Sequence, residues 1–269
     1  MSNLRIAVYT AVFDCYDIVL PPICVSPGVD FYCFTNNSFG IESPWKVVLV
    51  KKDKSQSTKV QTAYLKIKGH KLLNSYDVTV WTDANIFILG DILQLVKECR
   101  IRSLFCVNKH LSRSCVYAEA DHCIAIGKAD SNITLSQISK YRSEGFPRNF
   151  GLSETTVLVR DNFNEKIQVL ENIWWDEFIN GGHRDQLSLD YARWRTNCRF
   201  SELPHDYRGL SGFFYKYPHV PLFIRSSRFL LSIWIFFCKS YFSNYYILRV
   251  ISKIFVSTIS RYNYFRFSK

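Results

Sequence analysis

Apolar and polar positions along the chain follow two periods, one of strands and one of helices. Residues 4–10 (LRIAVYT) are a short apolar run, rich in β-branched residues, and predict a buried strand. Residues 31–35 and 45–50 read the same way, separated by the turn cluster Asn36-Asn37-Ser38-Phe39-Gly40. Residues 58–73 then place Val60, Ala63, Tyr64, Ile67 and Leu72 at helical spacing. A further apolar strand, Val78–Thr82, ends abruptly in Asp83-Ala84-Asn85, and apolar character resumes over 86–89. Helices are predicted over 92–98, 116–126, 133–144, 164–179 and 185–195, and strands over 103–107 and 155–160. The 145–151 stretch, with Pro147, Asn149 and Gly151, predicts a loop. Strands alternating with helices imply an α/β fold with a largely parallel central sheet.

The pattern changes after Pro218. Residues 219–269 hold eight Lys and Arg and no Asp or Glu, while the first 218 residues carry 26 basic and 23 acidic side chains. The +11 net charge is therefore mostly a property of this segment. We divide the chain into a domain over 1–218 and a basic, aromatic, amphipathic helical tail over 219–269. Within the tail, residues 229–237 are almost wholly apolar. Arg249, Lys253 and Arg261 recur among Ile247, Leu248, Val250, Ile251, Ile254 and Phe255 at helical spacing. Such a segment packs on the domain, lies on an anionic membrane surface or binds nucleic acid. Its broad apolar face favours the membrane surface, and no nucleic-acid partner is expected. The run 6–13 is short, has only Arg5 before it and meets Asp14 and Asp17 without a small-residue cleavage site, so it is not expected to be a leader peptide. None of the nine cysteines forms a C-x-x-C pair, so reduced core thiols of a cytoplasmic protein are expected.

Several chemistries are argued against by missing motifs. The chain has no G-x-G-x-x-G fingerprint, no phosphate loop ending in Gly-Lys-Ser/Thr, no G-x-S-x-G elbow and no H-E-x-x-H. What it has is a strand delivering Asp83, and two positions later Asn85, to the carboxyl edge of the sheet. Ligands bind at that edge in open α/β sheets, and residues two apart in extended chain share a face. Oxygen donors in this pattern suit a hard divalent cation shared with phosphates, although Asp and Asn also simply end strands.

Segments in order along 4–195 carry a resemblance. They are Ala7–Phe13 with Tyr16-Asp17, Phe31-Tyr32-Cys33-Phe34-Thr35, Lys66 with His70, and Trp81-Thr82-Asp83-Ala84-Asn85. Then come Lys109-His110 with Arg113, Tyr117-Ala118-Glu119-Ala120, Tyr141-Arg142, Gly145-Phe146-Pro147, Gly151–Thr155 and Arg184-Asp185-Gln186-Leu187-Ser188. Together they resemble the TOD/MUCI-type glycosyltransferase-like family, formerly a domain of unknown function, of bacterial polysaccharide clusters and plant mucilage proteins. The resemblance implies a GT-A type nucleotide-binding sandwich, a sugar-nucleotide donor and Mn²⁺ or Mg²⁺.

It also implies roles. Thr10, Phe13, Tyr16 and Asp17 would hold the nucleotide, with Tyr16 stacking and Asp17 accepting a hydroxyl. Lys66 would face the diphosphate. Asp83, Asn85 and His205 would be metal ligands, Asn85 standing where a second carboxylate is usual. Asp185 would be the general base, with Glu154 its rival, although Asp185 also suits a helix N-cap. His110, Arg113, Glu119 and Gln186 would line the donor-sugar and acceptor side. The expected function is sugar transfer from a sugar nucleotide to a glycan or lipid-linked acceptor, as in lipopolysaccharide or capsule assembly, by a peripheral protein on the inner membrane face. The alternative is a non-catalytic membrane-associated module that keeps the fold.

Overall fold

The computed structural model describes residues 4–69, 73–204, 213–240 and 246–267, apart from the side chains at 222, 246 and 260–267. Its first half builds β1 (Ile6–Val12), β2 (Val29–Thr35), β3 (Trp45–Leu49), α1 (Thr58–Ile67), β4 (Val78–Thr82), β5 (Ile86–Ile88) and α2 (Ile92–Arg102). Next come β6 (Phe105–Lys109), α3 (Val116–Ala125), α4 (Ser131–Ser143), β7 (Ser153–Asp161), α5 (Glu165–Ile179) and α6 (Asp185–Thr196). The chain continues through β8 (Ser201–Glu202), β9 (Phe214–Lys216), α7 (Leu222–Arg225), α8 (Arg228–Ser240) and α9 (Tyr246–Phe267).

Seven strands form one sheet in the order β3-β2-β1-β4-β7-β6-β8. Neighbours run parallel except at β7, which is antiparallel to both β4 and β6. Among the described residues β7 alone is therefore reversed, and the expected α/β sandwich with a mostly parallel sheet is what the sequence forms. The reversal matters for the site: the start of β7 lies at the same sheet edge as the end of β4. Residues 86–89 do not join this sheet; β5 pairs with β9 in a separate two-stranded ribbon.

All seven residues of β1 are buried, because the sheet is covered on both faces. Ile6, Val8 and Val12 face Ile92, Leu95, Val96 and Cys99 of α2. Ala7, Tyr9 and Ala11 face Val60 and Ala63 of α1 and Ile167, Leu170 and Trp174 of α5. A further cluster joins Tyr117 of α3, Tyr141 of α4 and Tyr191 of α6, the last two rings stacked at 3.8 Å. The helix expected over 58–73 stops at Ile67, where the Lys68 amide closes the last turn onto Tyr64 and Leu65.

The segment beyond Pro218 packs on the domain. Leu231, Trp234, Ile235 and Cys238 of α8 share a cluster with Ile18, Leu20, Phe87, Tyr217 and Val220. Gly40 permits the approach, since a Cβ there would meet Ile235 Cδ1 at 2.6 Å. Helix α9 follows α8, with Phe255 stacked on Phe237 at 4.0 Å. Residues on both sides of Pro218 thus share one cluster. Among the described residues no helix is long and apolar enough to cross a membrane.

Candidate active site

Strand β4 is buried throughout, with Val78, Val80 and Trp81 in the core, and Asp83 follows it at the sheet edge. The Asp83 amide donates to Thr156 of the adjacent β7 (2.9 Å), and Asp83 Oδ1 accepts from the Trp81 indole (2.9 Å). The same oxygen accepts from Lys66 Nζ at 3.2 Å. Lys66 lies in the last turn of α1, is only 6% exposed, and donates a second time to Asp185 Oδ2 at 2.6 Å. Thr155 of β7 donates to that oxygen too (2.8 Å), and the Trp174 indole holds the Asp185 carbonyl (2.8 Å). Three distant parts of the chain are thereby tied to one buried ammonium.

Charge keeps it so. Burial alone would lower the Lys66 ammonium, but Asp185 and Asp83 outweigh it and hold the group above the usual lysine range. Burial would likewise raise the Asp185 carboxyl. The Lys66 and Arg184 charges, with hydrogen bonds from Lys66 and Thr155, hold it well below the carboxylate range instead. Arg184 occupies the N-cap position and Asp185 is the first helical residue of α6, so Asp185 does not cap the helix with its side chain. Its anion still suits the positive end of the helix.

Beneath the cluster lies a pair that the sequence did not reveal. Arg160 and Glu171 are fully buried, with Arg160 Nη1 donating to Glu171 Oε1 at 3.1 Å. Arg160 Nη2 donates to the Lys66 carbonyl (2.9 Å) and Nη1 to that of Ile67 (3.4 Å). The guanidinium therefore satisfies carbonyls that the end of α1 leaves open and fixes the turn that carries Lys66.

The residues expected to hold a nucleotide divide. Thr10 and Phe13 are buried, 1% and 2% exposed; Phe13 belongs to the core, and Thr10 Oγ1 has no partner among the described residues. Asp14 and Cys15 both take left-handed conformations, which turns the chain sharply after β1. Asp17 is 8% exposed, and its carboxylate accepts from His219 Nδ1 (2.9 Å) and the Val220 amide (3.2 Å). Tyr16 is half exposed, with the Arg225 guanidinium 4.0 Å from its ring centroid. Residues 219–225 thus stand against the loop after β1.

Of the expected metal ligands, His205 lies outside the described residues. Asn85 is 2% exposed, and its Nδ2 donates to the Tyr217 carbonyl at 2.8 Å, holding β9 against β5. Asp83 is 36% exposed at its side chain, and among the described residues its Oδ2 has no hydrogen-bond partner. No three His, Cys, Asp or Glu side chains converge among the described residues. One open carboxylate oxygen does not build a closed cage. It does fit Mg²⁺ or Mn²⁺ held by one or two carboxylates and completed by substrate phosphates.

On the other side, His110 Nδ1 accepts from the Ser112 and Arg113 amides (3.2 and 3.0 Å), and Arg113 is ion-paired with the buried Glu119. Glu119 Oε1 accepts from Cys123 Sγ (3.4 Å), and the Arg184 guanidinium acts on that thiol as well as on Asp185. The Arg184 charge thus stands between this group and the Lys66 cluster. Gln186 is 9% exposed, and its Nε2 is without a partner among the described residues. Glu154 is half-buried between Ser153 and Thr155, which bond Asp190 and Asp185 of α6.

A family model, the TOD1/MUCI70 glycosyltransferase-like domain, matches residues 34–204. The chain belongs to this family. No curated protein matches it. The TOD1/MUCI70 match contains Lys66, Asp83, Glu119, Glu154, Asp185 and Gln186, so the buried ammonium and both its carboxylates fall inside the family domain. It begins within β2 and ends before His205, leaving the loop after β1 and the C-terminal helices outside. A glycosyltransferase-like α/β domain of the GT-A type is what this sheet and family establish, and they give the protein a glycosyltransferase-related role.

Proposed function

We propose that the protein transfers a sugar from a nucleotide donor to a glycan or lipid-linked acceptor at an anionic membrane surface. The observation that carries this reading is the buried Lys66 ammonium at the carboxyl edge of the sheet. An ammonium has three donors; Asp83 and Asp185 take two, and in this reading the third meets a phosphate oxygen. A fixed positive charge there stabilises the negative charge that develops on a departing diphosphate, with no reorganisation during the reaction.

Asp83 and the donor phosphates would hold Mg²⁺ or Mn²⁺ between them, and the cation would supply further neutralisation of the leaving group. Tyr16 offers its ring to the base, backed by Arg225. Asp185 anchors Lys66 in the resting protein, where its depressed pKa makes it a weak base. A donor phosphate that shares the Lys66 charge loosens this hold and makes the carboxylate more basic. That returns to Asp185 the role of accepting the acceptor hydroxyl's proton.

The membrane part of the reading rests on α8 and α9. Their inner faces pack on the domain and on each other, while Phe229, Phe236, Ile247, Ile251 and Ile254 are 73, 53, 73, 49 and 62% exposed. Exposed apolar side chains in a segment with eight cations and no acid suit the anionic cytoplasmic leaflet. In this reading the protein is peripheral on the inner face of the membrane. A non-catalytic module of the same fold is the second reading, favoured by Asn85 being used to hold β9. Thermal unfolding with uridine, guanosine, cytidine and thymidine sugar nucleotides, with and without Mn²⁺, tests both. A ligand of the native state raises the unfolding temperature. Stabilisation and turnover by one donor are expected; stabilisation without turnover would leave the non-catalytic module.

A further inference from the structure

A second basic site adjoins the Lys66 cluster. An open cleft of about 350 Å³ is lined by Lys59 in the first turn of α1, by residues 127–130 and Ile133 at the start of α4, and by the 181–183 loop before α6. The first turns of α1 and α4 border this space, and the 181–183 loop leads from it to the start of α6. Lys59 and Lys128 line it. Arg184 is close enough for its charge, after desolvation, to hold the Lys59 ammonium below the ordinary lysine range. Opposing acid is scarce. Asp130 is the one acid among the described residues of the lining, and the Ile133 amide, donating to its Oδ1 at 2.9 Å, and the positive end of α4 offset part of its charge. Asp185 is held by Lys66. The His183 ring is stacked on Phe178 with its Nε2 against the Ile179 carbonyl.

The walls are set before any ligand arrives. A Cβ at Gly181 would lie 2.4 Å from the Gln137 carboxamide, and one at Gly182 would lie 2.4 Å from Thr134 Oγ1. Only glycines let this loop press so closely on α4. The Gly182 amide then donates to Gln137 Oε1 at 3.1 Å. Helix α1 also fixes the spacing between the two basic sites. Lys59 and Lys66 are seven residues apart, so they share a helix face and stand roughly 10 Å apart along the axis.

We propose that this cleft binds the anionic group of the acceptor, a phosphate or a carboxylate, through Lys59 and Lys128. The anion site stands on the cleft itself; calling its ligand the acceptor rests on the transferase reading above. One helix then presents two cations to two anions, the donor diphosphate at Lys66 and the acceptor's charge at Lys59. The reacting hydroxyl lies between them, beside Asp185.

The test uses the full chain with inorganic phosphate and glucuronate as separate probes, titrated by calorimetry at low salt. The wild type should bind one of them, which distinguishes a phosphate from a carboxylate. Lys59→Ala with Lys128→Ala should weaken that binding about tenfold or more. Both side chains are exposed, so folding should be retained, and sugar-nucleotide binding should be unchanged. A saturating nucleoside diphosphate should not displace the probe. No binding of either probe, equal binding by the double variant, or displacement by the nucleoside diphosphate would each overturn the proposal. Anion binding in a protein that binds no sugar nucleotide would instead overturn the transferase reading and leave the anion site standing.

Discussion

At the scale of residues, the site is a problem of charge. Lys66 is stable in its burial because two carboxylates face it, and the Asp185 carboxylate depends on it in turn. The Asp185 pKa is depressed on folding. Its contribution to stability is therefore complete above its unfolded value of about 4 and is lost as pH falls through the folded value. Asp185→Asn should accordingly be less stable than wild type at neutral pH, with the difference shrinking below about pH 4. Thermal unfolding between pH 3 and 7 measures this, and a constant difference across the range would reject the ion pair. If Asp185 also accepts the acceptor's proton, the same variant should lose at least ~10²-fold in turnover, and Glu154→Gln much less. The sequence singled out Asp83 by its place after a strand, and Lys66 and Asp185 by resemblance, but not the ion pairs that join them. Asn85 shows where that reading stopped. Period-two alternation holds only while the chain stays extended, and a turn closes at once after Asp83, with the Ile86 amide donating to the Asp83 carbonyl at 2.9 Å.

At the scale of elements, Lys66 is positioned from behind. Arg160 of β7 caps the carbonyl end of α1 and pairs with Glu171 of α5, all out of water. Removing one partner of a buried pair leaves an uncompensated charge. Arg160→Ala should therefore cost about 3–5 kcal/mol in unfolding free energy, and donor affinity should fall as the last turn of α1 loosens. Chemical denaturation and calorimetry read the two effects, and a loss below about 1 kcal/mol would contradict the capping role. Most element positions were legible because their apolar runs are long. The reversal of β7 was not, since an apolar strand carries no mark of its direction. The pairing of β5 with β9 was equally hidden, because it joins segments separated by more than a hundred residues.

At the scale of the molecule, the change of composition after Pro218 gave the basic charge of the C-terminal helices. It did not give their packing, because residues 229–237 are apolar nearly all round and either face can turn inward. Removing the helices would expose Ile18, Leu20 and Phe87, so truncation is a poor probe of membrane binding. Substitution on the outer face is a better one. Phe229→Ser, Phe236→Ser and Ile251→Ser together should leave the unfolding temperature nearly unchanged while weakening sedimentation with vesicles of anionic lipid. Raising salt should weaken what remains, since it screens the cations. Undiminished vesicle binding by the triple variant would reject this face.

The claim that joins all three scales is that the Lys66 ammonium receives the donor diphosphate. Calorimetric titration of a sugar nucleotide into wild type and Lys66→Met tests it most directly. The methionine keeps the length and packing of the side chain while removing its charge and its donors. The variant should fold, with stability lower by about 2 kcal/mol because Asp83 and Asp185, both partly exposed, lose their counter-charge. Its affinity for the donor should fall at least ~10-fold, as expected for a lost charge-assisted contact. Equal affinity in a folded Lys66→Met protein would contradict the account.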